Sequence, residues 1–181
     1  MSPQSDAPVT EILLNELEEG LAERVFEVDA LGLEFEDELF SLPNMARVQL
    51  SIDRSIETYS LKGLVTCSVG GECCRCLERI EESLETDFRL LVQRKLASEE
   101  ELKAVDEEEG VMILDPGAKS LDLKAEIREA LVLALPLRIF CTPDCKGLCT
   151  QCGANLNQSS CNCSDRRDDT RWAALKELKF Q

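Results

Sequence analysis

The stretch that decides the fold is Ile80–Val92, IEESLETDFRLLV. Ile80, Leu84, Phe88, Leu90 and Val92 fall on one face, while Glu81, Ser83, Glu85, Asp87 and Arg89 fall on the other. A period of two residues with one apolar and one charged face is the mark of a strand that covers a core on one side and meets water on the other. Upstream, Val48, Leu50 and Ile52 alternate with Gln49, Ser51 and Asp53, and Tyr59, Leu61, Val65, Cys67 and Val69 repeat the pattern. These segments read as an antiparallel pair, and the Gly70-Gly71 step after them can supply the positive φ of a tight turn. The first half of the chain is therefore expected to be a mostly antiparallel sheet with one wet face.

Further from this centre the signals are weaker. Residues 1–10 are polar and proline-bearing and read as disordered. Glu11–Leu17 fits a short strand or a turn or two of helix, and strand is preferred. Phe26, Val28 and Ala30, continued by Leu31, Leu33 and Phe35, read as a half-buried strand or a bent pair that ends at Leu42-Pro43-Asn44. Ser98 and Glu101 fit a capping box opening a short helix, Asp106–Glu109 a solvated acidic loop, and Val111–Leu114 one more strand.

Asp122 reads as the N-cap of a helix over LKAEIREALVLAL. In it Leu123, Ile127, Ala130, Leu131, Ala134 and Leu135 recur at helical spacing, and Pro136 ends the run. That stripe is the natural cover for the sheet. Asp168 and Thr170 are candidate caps of a terminal helix on which Trp172 would be a packing anchor. The expected architecture is α+β: a disordered start (1–10), a domain over 11–140, and a cysteine-rich appendage with a terminal helix over 141–181.

The chain has 181 residues, no histidine, ten cysteines and a formal charge of -16. Such a charge excludes bulk attraction to nucleic acid or to an anionic membrane, so any RNA contact must be local. From Pro136 onward seven basic residues meet five acidic ones, which leaves -18 on residues 1–135. The N-terminus has neither the basic start nor the apolar run of a signal peptide, and the longest apolar run, Ala130–Leu135, is too short for a membrane span. The expectation is a cytoplasmic protein, in which clustered thiols stay reduced and favour metal over disulfides.

The cysteines fall as Cys73-x2-Cys76, Cys141-x3-Cys145, Cys149-x2-Cys152 and Cys161-x-Cys163, with Cys67 and Cys74 outside these pairs. A two-residue gap lets two sulfurs reach one ion while the turn aims backbone amides at the thiolates. Cys149, Cys152, Cys161 and Cys163 supply the ligand count and type of a closed structural zinc site. Cys73 and Cys76 could complete a second site with Cys141 and Cys145, or form one ribbon with Cys149 and Cys152; the sequence does not choose. One or two zinc ions are expected. Ligand type alone would also admit an iron–sulfur cluster.

Cys67 reads as a small core residue and Cys74 as an idle thiol. A redox role for Cys73-Cys74-Arg75-Cys76 would call for a strand–helix context, whereas antiparallel strand patterns flank it. Without histidine the usual neutral-pH base and its triads are missing, and no phosphate-cradling glycine loop is present, so the protein is not expected to be an enzyme.

The blocks ECCRCLERIEESL, LDLKAEIREALVLALP, DCKGLCTQCGANLN with the later CNC, and DDTRWAALKEL occur in the order seen in the YceD family, the large ribosomal RNA subunit accumulation proteins. They cover much of residues 72–178, and the GLC-x2-CG-x-NLN block is the most specific. The resemblance implies a small bacterial or plastid protein needed for accumulation of 23S ribosomal RNA, acting in processing or large-subunit assembly, with no catalytic activity implied. Cys73 and Cys76 are similar to the family's central pair, and Cys145, Cys149, Cys152, Cys161 and Cys163 to its tail cysteines; Cys74 is an additional cysteine inside the central pair.

Arg75, Arg79, Arg138, Lys146, Arg166, Arg167 and Arg171 lie near the cysteines and are candidates for meeting RNA phosphate. The partner is then ribosomal RNA or a large-subunit ribosomal protein, with no membrane and no small-molecule substrate. Two rivals stand beside this reading: an acidic adaptor that binds a basic ribosomal protein, and a CxxC thiol oxidoreductase.

Overall fold

A computed structural model describes residues 9–96 and 110–163. Along the chain it runs β1 (Glu11–Leu13), one 3-10 turn (Leu14–Glu16), β2 (Gly20–Val28), β3 (Ala46–Arg54), β4 (Thr58–Glu72), β5 (Arg79–Arg94), β6 (Val111–Leu114), β7 (Ser120–Asp122) and α1 (Lys124–Ala134). Strands β2 to β6 form one sheet in sequence order, antiparallel except for the parallel β5–β6 pair. β1 pairs with β7 in a separate two-stranded ribbon. The α+β expectation, a largely antiparallel sheet with one covering helix, describes this architecture.

The alternating residues sit where their period requires. Val48 faces Val65 and Ile52 faces Leu61 across β3–β4, while Leu61 faces Leu90 and Tyr59 faces Val92 across β4–β5. All of these are almost fully buried, and Leu123, Ile127 and Leu131 join the same core from the helix. Each such side chain stabilises the fold by roughly 1.5–3 kcal/mol through lost apolar exposure. Gly63 of β4 lies between Leu50 of β3 and Phe88 of β5, and the Phe88 ring fills the space that a side chain at 63 would take.

Three local expectations are corrected. Strand β2 stops at Val28, and residues 29–35 form a turn in which the Asp29 carboxylate accepts from the Gly32 amide and Phe35 N donates to Ala30 O. Leu33 and Phe35 are buried from a turn rather than from a strand, because a turn too can send alternate side chains inward. Asp122 ends β7 one residue earlier than a cap position; Leu123 flanks the helix, and the Asp122 carboxylate accepts from Lys124 N and from the buried Thr10 hydroxyl.

The third concerns Gly70 and Gly71, which lie within β4 opposite Glu81 and Ile80 and make no turn. A side chain at Gly71 would come within 2.6 Å of Ile139 Cδ1, and one at Gly70 within 2.9 Å of Ser41 Oγ. Close approach, not φ, explains both glycines. The helix expected from Ser98, the acidic loop expected at 106–109, the first eight residues of the start (1–10) expected to be disordered, and the terminal helix expected to carry Trp172 lie outside the described residues; Thr10, at the end of that start, is buried and its hydroxyl donates to Asp122.

The strands of the sheet differ in reach. The β4–β5 ladder runs from Thr58–Gln93 to Glu72–Arg79, but β3 pairs with β4 only as far as Thr66. The last six residues of β4, roughly 20 Å of strand, continue past β3 as a two-stranded arm. The first cysteine pair sits at its tip.

Candidate metal centres

The arm turns through Cys73–Glu78. Cys73 N donates to Glu78 O and Leu77 N donates back to Cys73 O, with Leu77 held at φ 61°. The second pair folds the same way: Cys149 N donates to Ala154 O, Gly153 N donates to Cys149 O, and Gly153 sits at φ 75°. In both, the fourth residue after the first cysteine must be left-handed so that the chain can reverse and the sulfurs converge. Glycine adopts that conformation without strain; leucine does so at a cost of about 1 kcal/mol. The second knuckle aims an amide at sulfur, in the Gln151 N–H to Cys149 Sγ contact at 3.4 Å.

These knuckles gather two groups of four sulfurs: Cys73, Cys76, Cys141 and Cys145, and separately Cys149, Cys152, Cys161 and Cys163. Within each, all sulfurs lie within 4.8 Å of one another. Of the groupings that the spacing left open, the fold brings together the sulfurs of the two-site one and does not gather Cys73, Cys76, Cys149 and Cys152. A disulfide would need sulfurs about 2 Å apart, whereas Cys73–Cys145 and Cys76–Cys141 stand at 3.8 and 3.6 Å and all ten cysteines are free. Zinc–sulfur bonds of about 2.3 Å in a tetrahedron put neighbouring sulfurs about 3.8 Å apart. The clusters could thus hold a metal ion of that size and geometry.

The electrostatics point the same way. Burial works against ionisation of Cys73, but the backbone amides of Cys141, Cys76 and Arg75 outweigh it and bring the thiol down to about 6. The Glu78 amide favours the Cys76 thiolate, yet burial and the neighbouring sulfurs of Cys73, Cys141 and Cys145 prevail and push it up to about 12. In the second group the Cys152 and Gln151 amides lower Cys149 to about 6, while the Cys152 sulfur, burial and the Cys149 sulfur raise Cys163 to about 12. Four thiolates crowded together repel one another, so full ionisation calls for a counter-charge, which a bound dication supplies.

The two groups differ in setting. Cys73, Cys76 and Cys145 are buried, whereas Cys152 and Cys163 are exposed and Cys149 and Cys161 half-buried. They are also joined. Asn157, in the loop between the two halves of the second group, donates from Nδ2 to Cys145 Sγ at 3.2 Å and accepts the Lys146 amide on Oδ1. Leu148 N donates to Arg75 O, and Asn155 Nδ2 to Glu78 Oε1. Burial works against the Cys145 thiolate, but Asn157 and the Gly147 amide hold its pKa below the ordinary thiol value. Asn157 was not singled out by sequence reasoning; its only signal is the second asparagine of GANLN, two residues from Asn155.

Of the cations expected to meet RNA, Arg75 serves the fold. Its guanidinium donates to Pro143 O and Cys145 O and lies 4.7 Å from the Phe140 ring centre, tying the Cys141–Cys145 loop to the arm. Arg79 and Arg138 line a trough that also holds Asp37, Glu38, Glu72 and Glu81. Lys146 is exposed. Arg166, Arg167 and Arg171 lie outside the described residues. Cys67 packs at the edge of the core, where burial raises its pKa, and Cys74 is an exposed thiol. Cys73 and Cys76 sit on an antiparallel hairpin rather than at the head of a helix. Among the described residues, no helix is long and apolar enough to cross a membrane.

Residues 61–179 match the family described as large ribosomal RNA subunit accumulation protein YceD. The chain is similar to the large ribosomal RNA subunit accumulation protein YCED homolog 1, chloroplastic, of Arabidopsis thaliana, with 28% identity over 84% of this chain and 54% of the plant protein. Its counterpart in Zea mays is 31% identical over 66% of this chain and 48% of the maize protein. An uncharacterised protein of Mycobacterium tuberculosis is 33% identical over 71% of this chain and 61% of its own length. The chain thus spans about half to three fifths of the length of these three relatives. No solved structure matches it. The family match takes in the arm, both knuckles and the helix that covers the sheet, and with it the chain belongs to the YceD family of large ribosomal RNA subunit accumulation proteins.

Proposed function

We propose that this protein is a non-catalytic ribosome-biogenesis factor, which supports accumulation and processing of 23S ribosomal RNA and assembly of the large subunit in the cytoplasm. One structural zinc ion would sit in each four-cysteine group, held by Cys73, Cys76, Cys141 and Cys145 and by Cys149, Cys152, Cys161 and Cys163. The observation that carries this reading is the folding of residues 141–163 onto the tip of the β4–β5 arm, where Cys141 and Cys145 meet Cys73 and Cys76 and Leu148 N donates to Arg75 O. Four thiolates complete a zinc ion's tetrahedron and leave no open position for a reacting ligand, so the metal would shape a surface and do no chemistry.

The charge distribution favours a protein partner from the large subunit over direct contact with RNA. The chain carries -16, Arg75 is engaged within the fold, and Arg79 and Arg138 stand among carboxylates. A basic ribosomal protein complements that surface. The test is depletion of the protein followed by measurement of 23S against 16S ribosomal RNA, with rescue by wild type and by Cys76→Ser. A fall in 23S that wild type restores and Cys76→Ser does not is expected; unchanged levels and processing on depletion would remove the reading. Retention of the partner in nuclease-treated extract separates the protein from the RNA interpretation.

A further inference from the structure

Beside the first cysteine group lies a trough of about 700 Å³. Its floor is the distal end of the β4–β5 arm, and its walls are the segment 37–43 on one side and 137–139 on the other. Both walls are fixed by the arm. Ser41 and Gly70 exchange backbone hydrogen bonds, and Cys74 N donates to Ile139 O at 2.9 Å. The glycine at 71 lets the Ile139 and Phe40 side chains come down onto the floor. Two residues beyond Ile139, Cys141 enters the first group, so the sulfurs that would bind metal also anchor this wall.

The lining is unlike a site for phosphate. Asp37, Glu38, Glu72 and Glu81 outnumber Arg79 and Arg138, and among the described residues none of the four carboxylates is in an ion pair. Asp37 is partly used, since it accepts from the Leu39 and Phe40 amides. Apolar surface is exposed in the same place: Leu39 is 74% and Leu137 98% accessible. Leucines that open to water beside unpaired carboxylates match a ligand with cations and an apolar anchor, not an RNA strand.

We propose that this trough is the docking groove for an extended, lysine- or arginine-rich segment of a protein partner, with an apolar residue of that segment seated against Leu39 and Leu137. The proposal rests on the reading of the protein as a partner-binding factor and names the surface and the partner's chemistry. The first centre then has a structural role in binding, because metal held at Cys141 fixes the 137–139 wall, and the groove is complete only when that wall is in place.

The experiment is fluorescence anisotropy with the full chain and three labelled probes: a short peptide of alternating lysine and leucine, the same peptide with glutamate for lysine, and a single-stranded RNA oligomer of equal length. The lysine peptide should bind saturably and the other two should not. Glu72→Lys with Glu81→Lys should weaken it about tenfold or more, whereas Glu18→Lys with Glu19→Lys, the same charge change at the far end of the sheet, should cost less than about threefold. Leu137→Ser should also weaken binding, and Cys76→Ser should weaken it with the first metal lost. Equal losses from the two double reversals would mean bulk charge only and would overturn the groove, as would an absence of peptide binding or tighter binding of the RNA. These outcomes are read without reference to ribosomal RNA levels, so a failed groove and a failed biogenesis role are told apart.

Discussion

Removal of the Asn157 amide is the sharpest perturbation of the link between the two centres. Asn157 Nδ2 donates to Cys145 Sγ at 3.2 Å, and its Oδ1 accepts the Lys146 amide at 2.8 Å. Asn157→Ala deletes both, together with a contact to Asn155 Oδ1 that the Asn157 backbone amide also makes and keeps; the Lys146 amide, on an exposed residue, can turn to water, so the loss falls on the sulfur. Partners that orient and neutralise a metal ligand from behind are typically worth about 10–100-fold in metal affinity. Asn157→Asp keeps the acceptor but replaces the donor with a carboxylate oxygen facing a thiolate, and should therefore lose more than alanine does. Zinc competition with a chromophoric chelator reads this directly: one ion of the two should be released about 10–100-fold more readily in Asn157→Ala, and more readily still in Asn157→Asp. Two ions held as tightly as in wild type in both variants would refute the coupling.

Other expectations follow from single contacts. A methyl at Gly63 would collide with the Phe88 ring, so Gly63→Ala should destabilise by about 1–3 kcal/mol in urea denaturation through displacement of that ring. Leu131→Ala empties a fully buried position under the sheet and should cost about 2–5 kcal/mol in the same assay. Gly147, at φ 74° and with its would-be Cβ 3.0 Å from Arg75 O, should not tolerate alanine; limited proteolysis should then cut within 141–163 while the far-ultraviolet signal of the sheet persists. Burial, with Asp122 and Glu129 adding to it, raises the Glu126 pKa, and one of its oxygens lacks a partner. The folded state therefore holds that proton at higher pH than the unfolded chain, so its penalty is present above the folded pKa and fades as pH falls toward the unfolded value. Glu126→Gln should raise the melting point at neutral pH, and the gain should vanish in acid.

The central sheet was legible because a half-buried strand must alternate. Val48–Ile52, Tyr59–Val69 and Ile80–Val92 all carry that period, and all three are paired as the pattern requires. Period alone misled at Leu33 and Phe35, where a turn built on Asp29 buries alternate residues as a strand would. The cysteine spacings identified the knuckles, but which pairs meet depends on the arm carrying Cys73 and Cys76 to residues 65 to 72 positions away. No local pattern encodes that distance. Nor does spacing distinguish Arg75, whose guanidinium is engaged by Pro143 O and Cys145 O, from a cation free to meet a phosphate. The glycines at 70 and 71 look like a turn in sequence because the neighbours that demand them, Ser41 and Ile139, are remote along the chain.

The structural role proposed for the sulfurs and the coupling through Asn157 depend on metal in the two groups, and the wall of the docking groove on metal in the first. Native mass spectrometry of the reduced chain, purified without added metal and without a metal-binding tag, counts the ions directly. A mass excess equal to two zinc ions is expected, falling to one in Cys76→Ser and lost on chelation. A chain that flies at its metal-free mass when freshly purified and reduced would contradict metal binding at both centres.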